Sequence, residues 1–250
     1  MEGVLVKPLA PSALLAVLLT PLTTAAGPAD YIYTPDVEYG EKEIDFKAGT
    51  ARKGDLARES ASSIGFGYGA KEWWFTEIYV KQVRENGEGT KLDAIEWENK
   101  FQLTQPGEHP VDIGILLEIE RPRDHGEGWE TKFGPLFQTD IGKVQLNGNT
   151  LMQRNYRADG PAETNLLYQW QAKYRWMREC EFGVQGFGEM GKWNHWAPPN
   201  ERTHRAGPAA FGKLPLGNGQ AIKYNAALLF AVAKAAPDHT FRMQIEYEFR

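Results

Sequence analysis

A period of two constrains this chain more than any other feature. In its last eleven residues Phe241, Met243, Ile245, Tyr247 and Phe249 alternate with Arg242, Gln244, Glu246, Glu248 and Arg250. Successive side chains of a β-strand point to opposite faces, so the two sets must meet different surroundings. The same pattern sets Leu166, Tyr168, Trp170, Ala172, Tyr174 and Trp176 against Gln169, Gln171, Lys173 and Arg175. It sets Val111, Ile113, Ile115, Leu117 and Ile119 against Asp112, Glu118 and Glu120, and Ile222, Tyr224, Ala226, Leu228, Phe230 and Val232 against Lys223 and Asn225. Ile95, Trp97, Phe101 and Leu103 oppose Glu96, Glu98, Lys100 and Gln102 in the same way. No comparable helical period follows residue 30, so the fold class is all-β.

Turn residues divide the chain into about twelve runs: 38–49, 60–69, 72–84, 91–104, 110–121, 129–139, 143–156, 164–177, 180–190, 207–213, 221–233 and 240–250. Asn147-Gly148-Asn149 could split the seventh. Connections such as Ala70-Lys71 and Arg178-Glu179 are short, whereas 50–59, 84–90, 122–128 and 191–206 are longer and more polar. Short turns at one end, longer loops at the other and an even strand count suit a transmembrane antiparallel up-and-down barrel with both termini at the short-turn end. A two-sheet sandwich also alternates. Against it stand runs of ten to fourteen residues, longer than ordinary globular strands, and aromatics near strand ends at Trp73 or Trp74, Trp129, Trp176, Tyr247 and Phe249. Interfacial girdles belong at such positions.

The start of the chain has the three parts of a secretory leader. Lys7 precedes an apolar stretch from Ala13 to Leu19, and Thr24-Ala25-Ala26 supplies small residues for cleavage. Pro8, Pro11, Pro21 and Pro28 argue against a spanning helix there. Residues 1–26 are expected to be removed, leaving 27–250 as one barrel domain. Composition narrows the functions further. Twenty-eight Lys+Arg against thirty-three Asp+Glu give a net charge of −5, which does not suit a nucleic-acid partner. The single cysteine, Cys180, excludes a disulfide scaffold.

Leader, alternating strands and an aromatic C-terminal strand together resemble the bacterial outer-membrane β-barrel proteins. The resemblance spans residues 27–250 as a pattern and carries no family-specific motif. It departs from the usual ending in that Arg250 follows the aromatic Phe249 and Gln244 stands where a glycine is common. The resemblance implies residence in the bacterial outer membrane, contact with its lipids, and recognition of the last strand by the barrel-assembly machinery.

An Arg or Lys facing mid-bilayer lipid costs about 2–4 kcal/mol, so the charged stripes must face inward. The lumen then holds the acids Glu77, Glu96, Glu98, Asp112, Glu118, Glu120, Glu189, Glu246 and Glu248. Its bases are Lys81, Lys100, Lys173, Arg175, Lys223 and Arg242. A twelve-stranded barrel lies between the filled eight-stranded and the open sixteen-stranded ones. A narrow channel for small polar or charged solutes is therefore expected, with an acidic wall facing basic residues on later strands. The alternative is a sealed barrel in which the same charges neutralise one another and the role is structural or surface-binding. Oxygen-rich clusters also suit a hard divalent cation, but the spacing assigns no metal, and no cofactor fingerprint occurs.

Catalytic constellations are sparse, and no enzyme is expected. Ser60, Ser62 and Ser63 sit where the first long loop enters the second run, and His125, His195, His204 and His239 fall in other predicted long loops. A serine–histidine pair at the rim would be a lipid hydrolase, yet no spacing selects one, and His109 and Cys180 belong to separate turns. The loop containing Trp193, His195 and Trp196 could fold over the mouth or anchor in the interface. Gly65, Gly67 and Gly69, and Gly183, Gly186 and Gly188, read as relief for tight barrel curvature.

Overall fold

A computed structural model describes residues 27–54, 58–84 and 89–250. The proposed leader, residues 1–26, lies outside the described residues. Thirteen strands follow in order: β1 (Lys42–Arg52), β2 (Arg58–Lys71), β3 (Trp74–Arg84), β4 (Lys91–Gln102), β5 (Asp112–Pro122), β6 (Trp129–Ile141), β7 (Val144–Tyr156), β8 (Thr164–Met177), β9 (Cys180–Lys192), β10 (His195–Trp196), β11 (Thr203–Gly217), β12 (Gln220–Ala231) and β13 (His239–Phe249). Each pairs antiparallel with the next, except that the two-residue β10 folds back on β9 and β9 continues to β11. β13 pairs with β1 in unbroken register from Lys42↔Phe249 to Arg52↔His239. The result is a closed twelve-strand barrel, with β10 as an appendage on its rim.

Closure leaves no row of unpaired backbone N–H and C=O groups at a sheet edge. The connections at one end are the two-residue turns 72–73, 142–143, 178–179 and 218–219 plus the longer 103–111. In the turn 218–219 both residues have positive φ, 51° at Asn218 and 74° at Gly219, the hairpin geometry that Asn-Gly favours. Longer connections occupy the other end, as the sequence predicts. The sequence misplaces some boundaries. Asn147-Gly148-Asn149 does not break β7, because all three pair in register with both β6 and β8. His195, His204 and His239 lie in strands instead of loops.

The faces are inverted relative to a water-soluble protein. Asp45, Glu98, Gln185 and Arg242 are at most 1% exposed, whereas Ile64 and Ile78 are 56% and 58% exposed. A belt of outward Ile, Phe, Val and Leu encircles the wall, including Ile44, Phe46, Ile95, Phe133, Leu228 and Ile245. Patches of that extent on a monomer mark an apolar contact surface. Aromatics crowd the two rims. Trp73, Trp74 and Phe101 stack at the short-turn end, as do Tyr247 and Phe249, while Trp129 and Tyr156 are exposed at the other.

Residues 27–41 run through the lumen, which the sequence does not anticipate. They pass from Gly27, whose carbonyl accepts from Arg205 at 2.9 Å, down to the short-turn rim, where Gly40 and Glu41 pair with Gly69 at 2.8 Å. Two interior clusters grip this segment: Ile32 with Phe187, Phe211 and Leu229, and Tyr33 with Leu116, Leu136, Leu151 and Leu167. Three inward glycines make room for it. A Cβ at Gly49 would stand 1.9 Å from the Pro28 carbonyl oxygen, one at Gly69 2.0 Å from that of Glu38, and one at Gly114 2.9 Å from Pro35. Gly65 and Gly67 instead lie beneath the rings of Tyr79 and Phe75, and Gly186 and Gly188 beneath those of Trp170 and Tyr168. Close packing, more than curvature, explains most of these glycines. Gly49→Ala should therefore destabilise the barrel by about 1–3 kcal/mol through overpacking, read as a lower denaturant midpoint. Gly148→Ala, whose Cβ meets nothing within 4 Å, should be nearly silent.

Candidate functional site

Strand pairing lays the inward side chains in transverse rows. Glu77, Glu98, Glu118 and Lys132 are successive cross-strand partners on β3, β4, β5 and β6. Tyr79, Glu96, Glu120 and Glu130 form the row above them. Cross-strand neighbours on one face stand roughly 4.5–5.5 Å apart at Cβ, so these carboxylates lie side by side on the inner wall. Lys81 on β3 bridges Glu96 (3.1 Å) and Glu120 (2.5 Å), and Lys132 contacts Glu118 at 2.7 Å. The inner segment adds two phenols, with Tyr31 donating to Glu98 and Tyr33 to Glu118. An ionised carboxylate can only accept, so both phenols act as donors. Lys47 lies between the rings of Tyr31 and Tyr79, 3.4 and 3.6 Å from their centroids, and 3.3 Å from Asp45.

The opposite wall is built of amides. Arg242 donates to Gln185 (2.7 Å), Gln185 to Gln171 (2.6 Å), Gln171 to Asn147 (3.1 Å), Asn147 to Gln138 (2.8 Å) and Gln138 to Asp36 (3.0 Å). A second branch runs from Arg242 to Asn225 (2.9 Å), Asn225 to Gln244 (2.7 Å) and Gln244 to Asp45 (3.0 Å). Arginine can only donate and an ionised carboxylate can only accept, so the ends set the orientation of every amide between them. The girdle ties β6, β7, β8, β9, β12, β13 and β1 together, and through Asp36 it holds the inner segment.

Below the girdle a cavity of about 740 Å³ opens at the short-turn end. Its lining includes Glu41, Glu43, Lys100, Lys173, Arg175, Arg178, Lys213, Lys223, Gln145, Gln171 and Glu246, with Tyr31 at its inner end. Lys223 and Lys213 both bridge Glu248, the latter at 2.5 Å. Lys173 pairs with Glu181 at 3.3 Å, and the Lys100 ammonium sits 4.6 Å from the Phe75 ring centroid.

The structure places thirteen of the fifteen residues named for the lumen on the inward face, among them Glu189 on β9 opposite Leu167 and Thr203. Two differ in role. Asp112 braces the loop 103–111 by accepting from the Gly107 amide at 2.9 Å. Arg175 sits on the rim in a half-exposed pair with Asp140 at 3.2 Å, a contact that contributes little to stability. Sequence reasoning misses Glu43, Asp45, Lys47, Lys132, Glu181, Arg205 and Lys213, all of which line the interior, as well as the inner segment itself. Trp193, His195 and Trp196 stay on the long-loop rim. β10 pairs with Gly191 and Lys192, and the Arg202 guanidinium lies 5.6 Å from the Trp196 ring centroid. Ser60 donates to Thr50 at 3.3 Å, Ser63 is buried, and His204 pairs with Tyr168 at 2.7 Å. Among the described residues no serine hydrogen-bonds a histidine.

No protein-family model matches the chain, and no curated protein matches it in sequence. Solved structures do match. The translocator domain of autotransporter NalP from Neisseria meningitidis is 13% identical, covering 85% of this chain and 89% of that one, with a TM-score of 0.54. The NanC porin is 11% identical over 83% of this chain and 99% of its own, with a TM-score of 0.52. An outer membrane channel from Pseudomonas putida F1 is 11% identical over 88% and 98%, with a TM-score of 0.56. At such identities the likeness establishes the fold, a closed antiparallel barrel of the kind found in outer-membrane proteins. The two-sheet sandwich is thereby set aside.

Proposed function

We propose that this protein resides in the bacterial outer membrane and provides a narrow passage for small polar or charged solutes, with residues 27–41 as its constriction. The observation that carries this reading is the charged cavity of about 740 Å³ that opens at one end of the barrel and stops at Tyr31. Oppositely charged side chains line it, so it offers a zwitterion or a small ion partners of either sign. The outward apolar belt supports immersion in lipid. The barrel-assembly machinery would read β13, whose outward residues end on Tyr247 and Phe249. The likeness to a porin and a channel agrees with passage.

A sealed barrel with a structural or surface-binding role is the second reading. The two apolar clusters that grip Ile32 and Tyr33 favour it. Planar-bilayer recording separates the two. Passage predicts discrete steps from the intact chain that lengthen when the anchors Tyr31 and Tyr33 are truncated. Silence from both proteins would leave the sealed barrel.

A further inference from the structure

The carboxylates of the acidic wall outnumber the ammonium groups that pair with them directly. Glu96, Glu98 and Glu118 are buried, and each offers an oxygen within 4.8 Å of the others'. Lys81 serves Glu96 and Glu120, and Lys132 serves Glu118. Lys47 is held by Asp45, and the Lys100 ammonium lies over the Phe75 ring on the cavity side. Glu77 and Glu98 are left without a direct ion pair, although Lys47 and Lys100 lie near enough to act on Glu98 at longer range. Glu77 is 2% exposed and stands directly across from Glu98 on the inward face, yet its Oε1 has no hydrogen-bond partner. The Oε1 of Glu98 has none either, although Oε2 accepts from Tyr31. Two adjacent buried carboxylates, each with an orphaned oxygen, would repel each other strongly in so dry a place.

We propose that Glu77, Glu96, Glu98 and Glu118 form a binding site for one divalent cation, calcium, inside the barrel wall. The donor set is all oxygen, which suits a hard cation. Calcium–oxygen distances of about 2.3–2.6 Å let ligands on opposite sides of the ion stand roughly 4.6–5.2 Å apart, whereas magnesium allows only about 4.0–4.2 Å. Glu96, Glu98 and Glu118 offer oxygens within 4.8 Å of one another, a spacing that calcium can bridge. Oxygens that already accept a hydrogen bond keep a second lone pair for the metal. The cavity ends at Tyr31, whose hydroxyl touches Glu98, so an ion has a route from the short-turn end. A bound ion would pin β3, β4 and β5 to the inner segment. A second carboxylate group, Glu41, Glu43 and Glu248, lies at the cavity mouth. There Lys213 and Lys223 already neutralise Glu248.

The test uses the full folded chain in detergent, heated in EGTA, in CaCl₂ or in MgCl₂, with calcium binding measured by titration calorimetry. Calcium should raise the melting midpoint more than magnesium does and bind at one ion per chain. Glu98→Gln and Glu77→Gln should each weaken binding by about tenfold or more and lose the calcium-dependent shift. In EGTA both should melt at or above the unmodified chain, because each removes a repelling charge. Glu41→Gln should keep the full calcium response. The proposal is overturned if calcium leaves the unmodified chain's midpoint unchanged, or if its effect survives in both glutamine variants. It also fails if Glu41→Gln abolishes the effect, or if the glutamine variants cannot fold in EGTA.

Discussion

Arg242→Met is expected to lower the unfolding free energy by about 3–5 kcal/mol, the range seen when one partner of a buried charged network is removed. Arg242 is 1% exposed and is the shared donor of both amide branches. Without it, Gln185 Oε1 and Asn225 Oδ1 lose their donors, and each orphaned buried acceptor costs about 1–3 kcal/mol. The amides cannot simply turn over to compensate, because Asp36 and Asp45 at the far ends accept and cannot donate. Packing is lost as well, since the guanidinium lies 5.6 Å from the Phe187 ring centroid. Urea titration of the barrel in lipid vesicles, followed by its heat-modifiable gel mobility, reads the effect. Arg242→Lys keeps the charge and should fall between the two. A methionine variant as stable as the parent would show that the girdle does not hold the wall together.

Joint truncation of the inner segment's anchors, Tyr31→Ala with Tyr33→Ala, should release the segment while leaving the twelve strands paired. Truncating a buried aromatic costs about 3–5 kcal/mol. Here the lost contacts lie between segment and wall, with Glu98, Glu118 and the Leu116 cluster. Every 1.4 kcal/mol is a factor of ten in an equilibrium. The two truncations together remove about 6–10 kcal/mol, and even a third of that falling on docking would raise the undocked fraction by roughly 30- to 200-fold. In planar bilayers the variant should dwell open where the intact chain opens briefly, with gel mobility still that of a folded barrel. A folded variant without added conductance would mean that the apolar layer closes the lumen unaided.

The strands were legible because the two faces of the wall differ, apolar side chains outside and polar groups within. Wherever that holds the sequence must alternate, and β13 and β8 do so along nearly their whole length. The inner segment left no such trace. Tyr31-Ile32-Tyr33-Thr34 touches wall on several sides, so no face is privileged and no period arises. Its imprint lies elsewhere in the chain, in Gly49, Gly69 and Gly114, whose missing Cβ atoms reveal a close neighbour only once that neighbour is known. The acidic wall was visible because charge is conspicuous on an alternating stripe. The amide girdle was not, since Gln138, Asn147, Gln185 and Gln244 read individually as ordinary polar residues. Their meaning comes from register, which sets Gln138, Asn147, Gln171 and Gln185 opposite one another along β6 to β9, and Gln244 opposite Asn225. Lys213 was passed over because it closes the short run 207–213, where Pro208 and Gly212 leave no clear alternation, and Lys132 because Thr131 and Gly134 blur the alternation of β6.

Nitroxide labels placed singly along β13 in a Cys180→Ser chain, reconstituted in phospholipid, test directly whether the wall faces lipid. Collisions with dissolved oxygen, which concentrates in acyl chains, should be frequent at positions 241, 243 and 245 and rare at 244 and 246. A water-soluble nickel chelate should show no preference for the first set. Equal oxygen exposure at all five positions, or free access of the nickel chelate to 241, 243 and 245, would contradict a lipid-facing barrel.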